Sequence, residues 1–187
     1  MLRRLSAALL TAALIGILTP GAHAQEFWGQ GAKSWGAGLQ LSVPTGNLSD
    51  FGGIGFGAFG KFQYGLNEDW MLTGSLGYNF WTSKDQGNGV SSKASAVPLL
   101  VGAKYNLSKQ VTPGFYAFAE VGFYFASYTA AVNIFGYTAS ASSSETETVL
   151  CPGVGYQFNN FDISAKYVIN GNISNFAISA AYQLPLQ

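Results

Sequence analysis

The chain has 187 residues, nine basic and nine acidic, with 10% charged and 15% aromatic side chains, whereas a soluble domain carries roughly 25% charge. That scarcity speaks against an ordinary soluble α/β enzyme, and charges scattered singly leave no basic stripe to hold a nucleic-acid backbone. Beyond the N-terminal segment no apolar run approaches the roughly 20 residues of a spanning helix, which excludes a multi-helix membrane protein as well.

Residues 1–24 read as an export signal: Arg3 and Arg4, an apolar run from Ala7 to Leu18, the helix-breaking Pro20-Gly21, and the small-residue ending Ala22-His23-Ala24. Cleavage between Ala24 and Gln25 is expected, giving a signal peptide, 1–24, and one domain, 25–187. Gln25 stands where a lipoprotein would need Cys, so no lipid anchor is expected. The cut also removes His23, the only histidine. Without imidazole, neither a Ser-His-Asp or Cys-His site nor a His-based metal site can be built within the chain. Cys151 is the sole cysteine and has no intramolecular disulfide partner. No catalytic, cofactor or metal site is expected.

From Trp35 onward apolar residues recur at every second position, the signature of strands with one greasy and one polar face. Eight segments follow in order: Lys33 to Pro44, Ile54 to Tyr64, Trp70 to Trp81, Ala96 to Tyr105, Phe115 to Ser127, Glu147 to Gln157, Phe161 to Asn170, and Asn175 to Leu184. Alternation alone fits both a soluble sandwich and a membrane barrel. Two observations separate them. The charged residues well inside the segments, Lys61, Lys104, Glu120, Asp162 and Lys166, all lie on the polar parity, as expected when the other face meets hydrocarbon. Further, Trp35, Tyr64, Trp70, Tyr105, Phe115, Tyr156, Phe161 and Tyr182 fall at one end of successive strands on the greasy parity, forming an interfacial girdle. Strands in lipid must close, because open edges would leave backbone groups unpaired. The expected fold is therefore all-β, an eight-stranded antiparallel up-and-down transmembrane β-barrel whose interior is narrow enough to be filled by side chains.

The connections after odd strands are long, Thr45 to Gly53, Thr82 to Ser95 and Thr129 to Thr146, except for the short Gly171 to Ser174. They read as solvated extracellular loops, while Gly65 to Asp69 and Phe158 to Asn160 are short turns. The turn from Asn106 to Gly114 is longer than this scheme prefers. Pro98 and Pro152 lie inside strands, where each removes a ladder donor, so a bulge or shifted boundary is expected at both.

Several strings carry a resemblance. They are Val43-Pro44-Thr45-Gly46-Asn47-Leu48-Ser49-Asp50 leading to Gly55-Phe56-Gly57, then Lys61-Phe62-Gln63-Tyr64-Gly65-Leu66, Val97 to Tyr105, and Pro152-Gly153-Val154-Gly155-Tyr156. The arrangement resembles the bacterial outer-membrane β-barrel family, the small eight-stranded proteins of the OmpA, OmpX and OmpW type. It implies a bacterial outer-membrane location, lipid as surroundings, and periplasmic chaperones and the outer-membrane assembly machinery as partners during biogenesis. Members often end in an aromatic residue, whereas this chain ends Tyr182-Gln183-Leu184-Pro185-Leu186-Gln187.

Inward parity gathers the five charged residues with Gln40, Gln63, Thr73, Asn79 and Gln157 in one lumen, where opposite charges should pair. Three readings follow. The first is a monomeric structural or surface-interaction barrel with a filled polar lumen and no enzymatic activity. The second is a narrow channel or transporter for small apolar solutes, like the OmpW branch, suggested by inward Phe59, Phe118 and Tyr124. The third is a soluble secreted ligand-binding barrel, which would need the greasy face on the inside.

Overall fold

The computed structural model describes residues 27–85, 90–108, 114–134 and 137–186. The expected signal peptide and its Ala24/Gln25 junction lie outside these residues, as do residues 109–113 of the turn that begins at Asn106. Eight strands follow one another in chain order: β1 (Lys33–Pro44), β2 (Gly52–Gly65), β3 (Trp70–Asp85), β4 (Val90–Asn106), β5 (Phe115–Ile134), β6 (Tyr137–Phe158), β7 (Phe161–Val168) and β8 (Asn175–Leu186). A single helical turn, α1 (Leu48–Phe51), sits between β1 and β2. Each strand pairs antiparallel with its chain neighbour, and β1 pairs with β8 from Lys33↔Leu186 to Pro44↔Asn175, so the sheet closes into a barrel.

The alternation in sequence becomes an inside and an outside. Leu39 is 71% exposed, Val101 60% and Phe123 47%, and the rest of the greasy parity also faces outward. Burial of apolar surface is the ordinary driving force of folding in water, and a belt of this size left open on every strand fits only an apolar solvent. The soluble-carrier reading required these residues to line the interior, so the structure overturns it. The fold is that of a transmembrane barrel.

Two expectations need correction. The stretches Thr82 to Ser95 and Thr129 to Thr146 are largely strand, not loop. β3 runs on to Asp85, β4 begins at Val90, β5 continues to Ile134 and β6 starts at Tyr137. The β5–β6 ladder stays in register from Phe115↔Tyr156 through Ser127↔Ser144 to Ile134↔Tyr137. Hydrocarbon requires only about ten residues per strand, and above it a ladder persists on backbone hydrogen bonds and Ser/Thr/Val side chains without needing a greasy face. The barrel is thus lopsided: β6 has 22 residues and β7 only 8.

The prolines produce no bulge. Between β3 and β4 the paired rows step from Leu76↔Leu99 to Asn79↔Ala96 across Pro98, and the register is unchanged. Between β6 and β7 they step from Gly153↔Lys166 to an isolated Leu150↔Ile169 bridge across Pro152, again in register. Each proline simply omits rows on the side where its nitrogen would have donated, while its other ladder continues through Pro98↔Tyr124 and Pro152↔Ala119. The irregularities in register lie higher, between Gly52 and Gly55 and between Trp81 and Lys84, at the upper edge of the greasy belt and above it.

Candidate functional site

The interior is layered. At the end where β1 starts, the chain preceding it folds back into the mouth, burying Phe27 and Trp28 with Met71, Tyr116 and Phe118. The Trp28 and Tyr116 rings lie 6.3 Å apart. This segment is tied to the end of β2 by Gly31 N–H donating to Gly65 O at 2.8 Å and Gly65 N–H to Ala32 O at 2.7 Å. A side chain at Gly65 would collide with the Gly29 carbonyl, so glycine is required where the strap crosses.

At mid-height the five inward charges form two groups. Glu120 on β5 reaches across to Lys61 on β2, 3.3 Å, and Lys166 on β7, 3.2 Å. Asp162 on β7 accepts from Lys104 Nζ on β4 and from the Tyr116 hydroxyl on β5, both at 2.5 Å. Residues far apart in sequence meet because a barrel cross-section is only one or two side chains wide. Aromatic faces hold the ammonium groups from below: Lys61 Nζ is 5.5 Å from the Phe118 ring centroid and Lys104 Nζ is 4.1 Å from that of Tyr116. The register supplies the space for these rings. Tyr116 lies opposite Gly155 and Phe118 opposite Gly153, and a methyl group at either glycine would strike the ring facing it.

The upper chamber is apolar. Leu48 from α1 and Ile173 from the β7–β8 connection fold down onto Trp81, Leu100, Tyr124, Val149, Cys151 and Val168. The two capping segments are joined by Thr45 N–H donating to Ser174 O, 2.8 Å, and Asn47 Nδ2 donating to Gly171 O, 3.2 Å. Glu147 holds the second segment from the side, accepting from Asn170 at 3.1 Å and Asn172 at 2.6 Å. Between the chamber and the charges lies a small, partly open cavity of about 20 Å³, room for little more than one water.

The structure therefore brings Lys61, Lys104, Glu120, Asp162 and Lys166 together and buries Gln40, Gln63, Thr73, Asn79 and Gln157 around them. Phe118, Tyr124 and Cys151 are buried inward as well. Sequence reasoning missed Tyr116, although it stands four residues before Glu120 on the same parity. It also missed Phe27, Trp28, Leu48 and Ile173, which lie outside the strands where parity has no meaning. The girdle residues Trp35, Tyr64, Trp70, Phe115, Tyr156 and Phe161 are exposed, while Tyr105 and Tyr182 are half-buried against their neighbours. Trp70 and Tyr105 are 4.9 Å apart, Phe115 and Tyr156 4.8 Å, and Phe161 and Tyr182 5.3 Å, so the ring is continuous over β3–β4, β5–β6 and β7–β8. Phe158 joins it, 5.5 Å from Phe161.

A closed barrel with a lipid-facing belt, one aromatic girdle and a side-chain-filled lumen defines a small transmembrane barrel of the outer-membrane type. A sequence profile of the family described as "Putative MetA-pathway of phenol degradation" matches residues 7–186, and the chain belongs to that family. Among solved structures, Ail, the attachment invasion locus protein of Yersinia pestis, is similar at TM-score 0.56 and 18% identity, covering 83% of this chain and 99% of Ail. The same protein in complex with the heparin analogue sucrose octasulfate gives TM-score 0.53 at 17% identity over the same shares. The N-terminal β-barrel domain of Pseudomonas aeruginosa OprF matches at TM-score 0.49 and 16% identity, over 83% of this chain and 100% of that domain. The two likenesses to Ail show the fold. No curated protein matches the chain.

Proposed function

We propose that the protein is a monomeric, non-catalytic barrel of the bacterial outer membrane, exported through a cleaved signal peptide and inserted by the assembly machinery, with a structural or surface-interaction role. The observation that carries this reading is the occluded lumen: Glu120 bridging Lys61 and Lys166, with the Lys104, Asp162 and Tyr116 group beside it, fills the cross-section between an aromatic plug and an apolar cap. The protruding sheet formed by β3 to β6 supports the surface role. Along its last strand, Ser140 to Thr146 have a ladder partner only on the β5 side among the described residues, which leaves an edge open to a partner strand. Reconstitution of the folded protein in a planar lipid bilayer tests the occlusion. No reproducible conductance is expected, and steady single-channel steps would overturn it.

A second reading, transport of a small apolar solute, is favoured by the apolar upper chamber together with the phenol named in the family description. The ion-pair groups lie across its route. Vesicles carrying the barrel should therefore take up phenol no faster than empty vesicles, and saturable uptake would establish the transport reading in place of the first.

A further inference from the structure

Among the described residues, the interior holds three ammonium groups, the buried Lys61 and Lys104 and the part-buried Lys166, against two buried carboxylates, Glu120 and Asp162. Lys104 and Asp162 balance each other at 2.5 Å. Glu120 alone serves both Lys61 and Lys166, leaving one positive charge in excess where water is scarce. An uncompensated charge in such surroundings is strongly unfavourable, and a counter-charge close by relieves that cost.

We propose that the barrel holds one small inorganic anion of halide size between Lys61 and Lys166. The small cavity of about 20 Å³ is lined by both lysines, and Ser75, Ser164, Asn79 and Gln40 stand around it. An ammonium group has three N–H donors, and each of these two lysines directs one toward Glu120, leaving donors free for the cavity. Ser75 and Ser164 add hydroxyl groups on the same walls. Lys61 is further fixed by the Phe59 and Phe118 rings, whose centroids lie 5.7 and 5.5 Å from its Nζ. A water molecule in this space would solvate the lysines without neutralising them. A monovalent halide neutralises the excess charge and needs little more room than a water molecule.

The test uses the full barrel folded in detergent, with sodium gluconate replaced stepwise by sodium bromide at constant ionic strength. A saturable rise in the thermal unfolding midpoint is expected for the natural protein. Lys166→Met leaves two ammonium groups facing two carboxylates, so its midpoint should lose the bromide dependence. Crystals grown in bromide provide an independent reading that does not depend on the variant folding: an anomalous peak is expected between Lys61 Nζ and Lys166 Nζ. Absence of that peak, or a midpoint in the natural protein that does not distinguish bromide from gluconate, would overturn the assignment.

Discussion

Glu120 is the side chain on which the lumen depends most, because it accepts from two ammonium groups and is itself only 1% exposed. Breaking a buried ion pair by removing one partner typically costs about 3–5 kcal/mol, since the remaining charge stays buried. Glu120→Gln keeps the shape and strands both Lys61 and Lys166, so urea unfolding in lipid vesicles should show a loss in that range; an unchanged midpoint would mean the pairs contribute nothing net. Tyr116 shows how far such a site can be read from residues alone. Its inward parity follows from Glu120, but its role does not, because the hydroxyl reaches Asp162 only when β5 and β7 face each other across the closed lumen. The five charges were legible as a group for a simpler reason: lipid forbids them on the other face.

Strands are legible here only as far as lipid imposes a pattern on them. Leu39, Val101 and Phe123 sit on a face where each polar substitution is penalised, so the period of two is unbroken. Once β5 passes Phe125 into water, Tyr128 to Ile134 owe nothing to that rule, and the ladder continues with no signal that a parity count could detect. The same reasoning explains why α1 and the strap at Phe27 and Trp28 escaped notice: they act by filling the ends of the lumen, and no periodicity accompanies that task. The lipid-facing assignment makes a quantitative prediction at this scale. Val101 is 60% exposed and pairs with Val121, near the middle of the greasy belt. Val101→Lys should therefore lower folding stability in bilayers by about 2–4 kcal/mol, whereas lysine at Ser95, higher on the same outward parity, should cost about 0–1 kcal/mol. Equal effects at the two positions would place the membrane elsewhere.

For the molecule as a whole, the lumen is closed three times in series: by the strap carrying Trp28, by the two charged groups, and by Leu48 with Ile173. Closures in series have a testable property, since opening one leaves the passage blocked by the others. Trp28 is 2% exposed and its ring is tilted against that of Tyr116, so Trp28→Ala removes a large buried ring from the mouth. Truncation of a buried Phe or Trp to Ala costs about 3–5 kcal/mol when the surroundings cannot collapse into the space. The barrel wall is held by its own ladder, so little collapse is expected and the loss should fall in that range in a urea titration in vesicles. Conductance should nevertheless remain absent, because Glu120, Lys61 and Lys166 still span the cross-section above the vacated mouth. Ion flow through Trp28→Ala, with none through the natural protein, would show that the strap alone is the gate and that the charged layer admits ions, which would reverse the order of importance assigned to the two closures.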